Sequence, residues 1–206
     1  MEWALTLGGS VLFAEVTGYW VHRLLHRERI PYLSPSHMIH HLRDYGPDTS
    51  MRPSASYRNA TDTRAGIAGI GLEWLLPIAL SLCVVLTTLT VLGVGLWPQL
   101  LFSLSSIGWG VLMFSYMHDS MHCRNFWMER HSLLRKWYRR ARRNHDIHHL
   151  LLHPSGRMHR NFGICFFGMD RLFGTFARMA RRPEPELIAL TRARYAAVIG
   201  PTRSDR

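Results

Sequence analysis

The sequence predicts an all-α integral membrane protein with about three transmembrane helices and a cytoplasmic helical cap. Two observations lead to this prediction: one long stretch is almost free of charge, and the positive charges are confined to two other segments. Between residues 66 and 117 the only charged residue is Glu73. Because an apolar helix of about 20 residues crosses a bilayer core, this stretch can hold two spans.

The expected spans cover residues 3–21, 68–92 and 99–117. The turn between the second and third spans, residues 93–98, contains two glycines and a proline. The first run is interrupted by Glu15, which would either brace a ligand or be hydrogen-bonded inside the helix bundle. Buried core helices of a soluble protein are the alternative interpretation. The charge-free stretch is too long for a small soluble core, which disfavours that alternative.

The charge distribution predicts the orientation. All 25 Lys and Arg residues lie in residues 22–64 and 118–206, so the positive-inside rule places both segments in the cytoplasm. We therefore expect one multi-pass membrane domain over residues 1–206. Its cytoplasmic cap would consist of residues 22–64 and 118–180, followed by a peripheral, partly mobile tail, residues 181–206. The net charge of +11 fits membrane lipid head groups and an acidic redox partner better than nucleic acid.

Ten of the 13 histidines fall into four short motifs. The motifs follow the order HxxxH, HxxHH, HxxxH, HxxHH. Residues three and four apart share one face of a helix, so each motif directs two or three imidazoles the same way. The ten motif histidines are His22, His26, His37, His40, His41, His118, His122, His145, His148 and His149.

The number of these histidines indicates two metal ions rather than one. A structural zinc site is closed by four ligands, whereas ten imidazoles suit two metals with five ligands each. Imidazole binds iron, zinc and copper alike, so the residue type leaves the metal open. His22 follows the first predicted span and His118 follows the third. The sequence thus predicts a histidine-ligated dimetal site just below the cytoplasmic membrane surface.

At these residues the sequence resembles the membrane fatty acid hydroxylase / sterol desaturase superfamily. The resemblance runs to about residue 176 and is carried by Tyr19–His26, His37–His41, His145–His149, Asn161–Gly163 and Asp170–Thr175. It implies that the ten motif histidines bind two iron ions (Fe²⁺/Fe³⁺), with O₂ as co-substrate. It also implies two external electrons from a donor such as a ferredoxin or cytochrome, and hydroxylation or desaturation of a lipid C–H bond.

The resemblance leaves the substrate open. The segment His118–Arg124 is similar to the corresponding segment of bacterial β-carotene hydroxylases, which belong to the same superfamily. The ending Asp170–Thr175 favours the sterol desaturase side instead. Fatty acyl, sterol and carotenoid substrates therefore all remain candidates, as do hydroxylation and desaturation. His153 and His159 form a further alternative, since either could approach the metals.

Other segments carry weaker predictions. Asp119 and Asp146 each follow a motif histidine but point away from its helical face, so we expect them to serve an adjacent helix or an ion pair. Residues 131–143 predict a basic amphipathic helix that lies on an anionic membrane surface or docks an acidic electron donor. A solvated cationic face is the alternative. Residues 43–64 predict a loop over the substrate entrance.

Two other classes of protein compete with an enzyme. A membrane metal transporter would place ionisable ligands within its spans, whereas all the motif histidines fall outside the predicted spans. A non-catalytic scaffold would be expected to have lost part of the pattern, but all four motifs are intact. Both rivals are therefore less favoured than a fixed metal site.

Overall fold

The computed structural model describes residues 2–28, 30, 33–57, 66–67, 70–179 and 181–200. These residues form an almost entirely helical protein, as predicted. In chain order, the α-helices of the described residues are α1 (Glu2–Leu25), α2 (Pro35–Ile39), α3 (Leu72–Val91), α4 (Leu96–Gly110), α5 (His118–Met121), α6 (Arg135–Leu150), α7 (Gly168–Leu172) and α8 (Pro185–Ile199).

Two segments continue α-helices with wider π-helical turns. The first π-segment, His40–Asp44, follows α2, and the second π-segment, Val111–Met117, joins α4 to α5. Such turns are rare and frequently occur at functional sites. Short elements complete the described structure: a 3₁₀ turn at Trp127–Glu129 and an antiparallel pair of two-residue strands, β1 (Gly66–Ile67) and β2 (Ile70–Gly71).

Among the described residues, two helical stretches are long and apolar enough to cross a membrane, Trp74–Val91 and Leu96–Met121. None of the Trp74–Val91 window is buried within the protein, and Leu80 and Val84 are 60% and 67% exposed. The core helix of a soluble protein would be buried, so this outward apolar surface favours contact with lipid. The two stretches coincide with the second and third predicted spans.

The predicted span over residues 3–21 forms most of α1, but α1 does not meet the same criterion of length and hydropathy. Small and polar residues along its length, among them Ser10 and Glu15, lower its hydropathy. α1 packs against α4, where the Ser106 hydroxyl donates to the Ser10 carbonyl at 3.3 Å. The Trp109 indole donates to Glu15 at 2.7 Å, so this carboxyl is hydrogen-bonded between helices rather than to a metal ligand. The three-span topology remains a prediction.

The apolar face of the predicted amphipathic helix is protein core. The helix begins only at Arg135, and Tyr138 and Ala141 are buried against the second π-segment and α5. The Tyr138 hydroxyl donates to the Ser120 carbonyl at 2.8 Å. The membrane-surface interpretation of this face is therefore wrong. The opposite, arginine-rich face of α6 is exposed, and docking of an acidic electron donor on it remains a prediction.

The prediction of a peripheral tail is also wrong for α8. Ile188, Tyr195 and Val198 are buried in one cluster with Met38 and Leu42, which belong to α2 and the first π-segment. The Tyr195 hydroxyl donates to the His26 carbonyl at 2.9 Å. The apolar side chains of α8 recur at helical spacing, so the helix buries one face against the cap.

Candidate metal centre

The structure brings nine of the ten motif histidines into two buried groups, each able to hold one metal ion. Within each group the available ring nitrogens all lie within 4.8 Å of one another. We call them the five-histidine group and the four-histidine group. The five-histidine group is His22, His26, His37, His41 and His148, and the four-histidine group is His40, His122, His145 and His149.

The spacing of each HxxHH motif divides its histidines between the two groups. The first and last histidines, four residues apart, share a helical face and enter the same group. His37 and His41 belong to the five-histidine group, while His40 between them joins the other group. The motif in α6 has the reverse arrangement, because His145 and His149 belong to the four-histidine group while His148 joins the five-histidine group. One helical turn therefore contributes to both candidate metal positions.

The two histidine groups are in direct contact. The rings of His41 and His149, one from each group, stack with their centroids 3.9 Å apart. His40 and His149 lie within one group at 5.0 Å. Such close contact between the groups is what a dinuclear centre requires, in contrast to two independent structural sites.

His118 lies beside the four-histidine group but outside the distance limit that defines it. Its ring centroid is 4.8 Å from that of His40 and 4.9 Å from that of His145. Its buried Nε2 atom has no hydrogen-bond partner among the described residues. By position and by its HxxxH pairing with His122, it is the candidate fifth ligand of this group.

The two acidic residues near the motifs have different partners. Asp146 pairs with Arg52 at 2.6 Å, in agreement with the expected ion pair. Asp119 was expected to serve another helix, but its Oδ1 lies 3.1 Å from Nδ1 of the adjacent His118. That expectation is wrong because the short Asp119 side chain reaches the ring of its immediate neighbour. A carboxylate in this position orients the ring and favours Nε2 as the metal-binding atom.

Several outer ring nitrogens are held by the backbone. A carbonyl can only accept, so each bonded Nδ1 carries the proton and leaves Nε2 free to bind a metal. The tautomer is thereby set before any metal arrives. These Nδ1–carbonyl pairs are His22–Phe162 at 2.5 Å, His148–Arg160 at 2.6 Å, His149–Tyr45 at 3.0 Å and His122–Met51 at 3.2 Å.

The inner nitrogens fit a metal better than they fit one another. The Nε2 atoms of His26 and His37 are 2.9 Å apart, and those of His122 and His145 are 3.0 Å apart. Two nitrogens about 2.1 Å from one metal ion, at right angles, would be about 3 Å apart. Within the described part of the chain, the buried Nε2 atoms of His22, His40 and His149 have no hydrogen-bond partner, which is rare in native proteins unless an ion or water is bound.

The electrostatic environment keeps these imidazoles neutral. Burial is the main cause that lowers the pKa of His26, His41, His145 and His149 well below its usual value, and neighbouring histidines lower it further. Burial also lowers the pKa of His148, to about 4. Only the neutral ring binds a metal, so the ligands are ready near neutral pH. Among the described residues, each group consists of imidazoles alone.

The metal-free protein should lose stability on mild acidification. A histidine whose pKa is lower in the folded state takes up its proton more readily when the chain unfolds. The stability that such a neutral histidine contributes is therefore fully present above pH 6.5. For His148 it declines as the pH falls from 6.5 to about 4, the pKa of this residue in the folded protein. Thermal unfolding of chelator-treated protein across this range tests the expectation. A melting temperature that stays level from pH 7 to pH 4.5 would contradict it.

A hydrogen-bond brace around Asp170, which the spacing of the histidines did not reveal, positions the Phe162 carbonyl that accepts from His22. The buried Asp170 carboxylate accepts from the backbone N–H groups of Phe162 at 2.8 Å and Gly163 at 2.7 Å. It also accepts from the Thr175 hydroxyl at 2.7 Å, and the Tyr19 hydroxyl lies 3.0 Å from that hydroxyl. Residues 161–163 and 170–175 thus form one hydrogen-bonded unit that contacts the five-histidine group through Phe162 and His22.

Asp170→Asn should destabilise the protein strongly. The new amide NH₂ would face one of two buried N–H groups and leave it unpaired, at a cost of about 2 kcal/mol or more. For a chain of this size, we expect a fall in melting temperature of roughly 4 to 8 °C. Asp48→Asn is the matched control, since Asp48 pairs with Arg192 at the surface and such pairs contribute about 0–1 kcal/mol. Equal effects of the two changes would contradict this role of Asp170.

The alternative histidines do not join either group. His153 is exposed and contacts the Ser155 hydroxyl at 2.8 Å. The His159 ring lies 5.1 Å from the His153 ring, and neither residue is part of a candidate metal position. Both are therefore loop residues of the segment between α6 and the brace.

The segment after the first π-segment covers the four-histidine group. The Tyr57 hydroxyl lies 3.1 Å from Nδ1 of His40, and the Tyr45 and Tyr57 rings stack at 5.6 Å. Tyr45 also packs against His122, with centroids 4.0 Å apart. The part of the predicted loop from residue 58 to residue 65 lies outside the described residues. Its placement over a substrate entrance remains a prediction.

Together, the fold and the two histidine groups define a helical protein with a candidate dinuclear metal centre beside two apolar, outward-facing helices. The chain matches the family model "Fatty acid hydroxylase" over residues 8–175, and it belongs to this family. No curated protein and no solved structure gives a significant match. The family and the apolar helices identify a membrane protein and a hydroxylase-type oxidoreductase.

Proposed function

We propose that this protein is an O₂-dependent di-iron oxidoreductase that hydroxylates or desaturates a C–H bond of a membrane lipid. The observation that carries the proposal is that two buried histidine groups lie in direct contact, through the stacked rings of His41 and His149. Family membership supports iron as the metal and a lipid as the substrate. When bound, two iron ions would supply the activation of O₂ with two external electrons.

The proposed reaction balances in either outcome. Hydroxylation consumes R–H, O₂, two electrons and two protons, and yields R–OH and one water. Desaturation consumes the same co-reactants, removes two hydrogens from neighbouring carbons and yields an alkene and two waters. The electrons require a donor of the ferredoxin or cytochrome type, which we place on the cytoplasmic side together with the cap.

The chain's own residues orient the ligands and exclude water. The backbone carbonyls of Phe162 and Arg160 fix two rings of the five-histidine group. Asp119 and Tyr57 act in the same way on His118 and His40. Burial of both groups keeps bulk water from the reacting carbon, which suits oxidation of an unactivated bond. The ten motif histidines are the proposed ligand set.

The test is a search for oxidised lipids under ¹⁸O₂. The protein, expressed with iron supplied, is compared with the His148→Ala His149→Ala variant, which lacks one proposed ligand from each group. A hydroxylated lipid that carries one ¹⁸O atom indicates hydroxylation, while an unlabelled alkene indicates desaturation. Absence of any variant-sensitive product from iron-loaded protein with a reductant would contradict the proposal.

Carotenoid hydroxylation is the second candidate within the same chemistry. The segment His118–Arg124 favours it, because it is similar to the corresponding part of bacterial β-carotene hydroxylases. Expression in cells that accumulate β-carotene separates the two substrates. Hydroxylated carotenoid without altered acyl chains or sterols would select this candidate, and the reverse result would exclude it.

A further inference from the structure

Two aromatic rings, those of Trp74 and Phe114, form a wall beside the five-histidine group. Trp74 is the first residue of the apolar stretch Trp74–Val91, so it lies where this helix meets the cap. Its ring centroid is 6.0 Å from that of His22 and 6.4 Å from that of His37. A single ring thus stands between a lipid-facing helix and two candidate metal ligands.

Phe114 continues this wall on the neighbouring helical stretch. Its ring centroid lies 5.9 Å from that of Trp74, and its backbone belongs to the second π-segment. The wider turn of a π-helix redirects side chains relative to an α-helix. The Phe114 ring packs directly on Gly18, where a Cβ atom would overlap its end. Gly18 lies one turn before His22 on the same face of α1, so the Phe114 ring packs about one helical turn from this candidate ligand.

A cavity beside His26 offers a different approach to the five-histidine group. It measures 310 Å³, and charged side chains line it together with Met158 and Phe162: Arg23, Arg27, Glu28 and Arg157. Insertion of an apolar chain would remove water from these charges without replacing it. The aromatic contact at His22 and the charged cavity at His26 are therefore distinct features of the same group.

From this arrangement we infer that Trp74 and Phe114 determine which carbon of the lipid chain reaches the metal centre. The occupant of the path along this wall is the hydrocarbon chain of a membrane lipid, because the wall is continuous with helices that face the bilayer. The size of Phe114, which Gly18 accommodates, limits how far the chain enters. This inference rests on the proposed function, since it names the path of the proposed substrate.

Photolabelling tests the path without any need for turnover. The purified protein in lipid nanodiscs is labelled with diazirine-bearing stearic acid and, separately, with diazirine-bearing cholesterol. Labelled residues are located by mass spectrometry, with and without excess unmodified lipid as competitor. We expect competitor-sensitive label at Trp74 and Phe114, and a shift of the label to Gly18 and His22 in Phe114→Ala. Phe114→Leu, which keeps most of the volume, should show a smaller shift.

Leu80→Ala is the matched control, since Leu80 lies on the same helix as Trp74 and is 60% exposed toward lipid. It should leave the competitor-sensitive label unchanged. Label confined to Arg157 and Met158 in the polar cavity would overturn the inference, as would identical patterns in the unmodified protein and Phe114→Ala. Absence of competitor-sensitive label with both probes would overturn it too.

The result of the photolabelling experiment can be distinguished from the result of the ¹⁸O₂ experiment that tests the proposed function. Oxidised lipid in the ¹⁸O₂ experiment without label at the wall would overturn the inference and leave the function standing. Label at the wall without oxidised lipid would support the path and contradict the proposed chemistry. If both results are positive, Phe114→Ala should also move the oxidised position along the chain, whereas Leu80→Ala should not.

Discussion

His148→Ala and His149→Ala should each remove one metal ion, and each a different one. The two residues are adjacent in α6, but His148 faces the five-histidine group and His149 faces the four-histidine group. Loss of a ligand should weaken binding at its own position by about 100-fold or more, since even outer partners of metal ligands contribute 10- to 100-fold. The other position should retain its ion.

Cobalt(II) titration of metal-free protein, followed by optical absorbance, measures this difference. We expect two equivalents in the unmodified protein and one in each single variant, with different spectra for the two remaining ions. His153→Ala is the control, because this exposed histidine belongs to neither group. Loss of both ions in both single variants, with the fold intact, would contradict the division into two positions.

Removal of the metals should lower the melting temperature strongly. The apo centre leaves buried ring nitrogens without partners, and binding to the folded state alone stabilises it by mass action. At a free metal concentration 1,000 times Kd, one ion contributes about 4 kcal/mol. For a chain of this size, that corresponds to roughly 8 to 16 °C for each ion.

Thermal unfolding in detergent with and without added iron measures this stabilisation. The His148→Ala His149→Ala variant should show little metal-dependent change, which separates specific binding from general salt effects. A metal-dependent shift of the same size in the double variant would mean that the ions bind elsewhere. A shift absent from the unmodified protein would contradict a resident metal centre.

The helical fold and the location of the site could be predicted from local spacing. HxxxH and HxxHH place imidazoles on one face of a helix, and the charge-free stretch from residue 66 to residue 117 predicts apolar helices. These features depend on neighbours along one helix, which the sequence displays directly. The expectation that each HxxHH motif directs three imidazoles the same way was wrong, because only the residues four apart share a group, and His40 and His148 enter the other one.

Features that depend on distant contacts could not be predicted in the same way. The Asp170 brace on Phe162 and the contact of Tyr57 with His40 join separate segments, so spacing gives no sign of them. The contact of Asp119 with the adjacent His118 was also not expected, because neighbouring residues of a helix point in different directions. The helical spacing of Ile188, Tyr195 and Val198 did indicate a buried face on α8, but the charged residues around them made this pattern hard to recognise.

The most direct test of a dinuclear histidine centre is the iron content of detergent-purified protein expressed with iron supplied. We predict two iron atoms per chain, and none above background in the His148→Ala His149→Ala variant. No stoichiometric metal in the unmodified protein, with its helical content and melting transition intact, would contradict a dinuclear histidine centre.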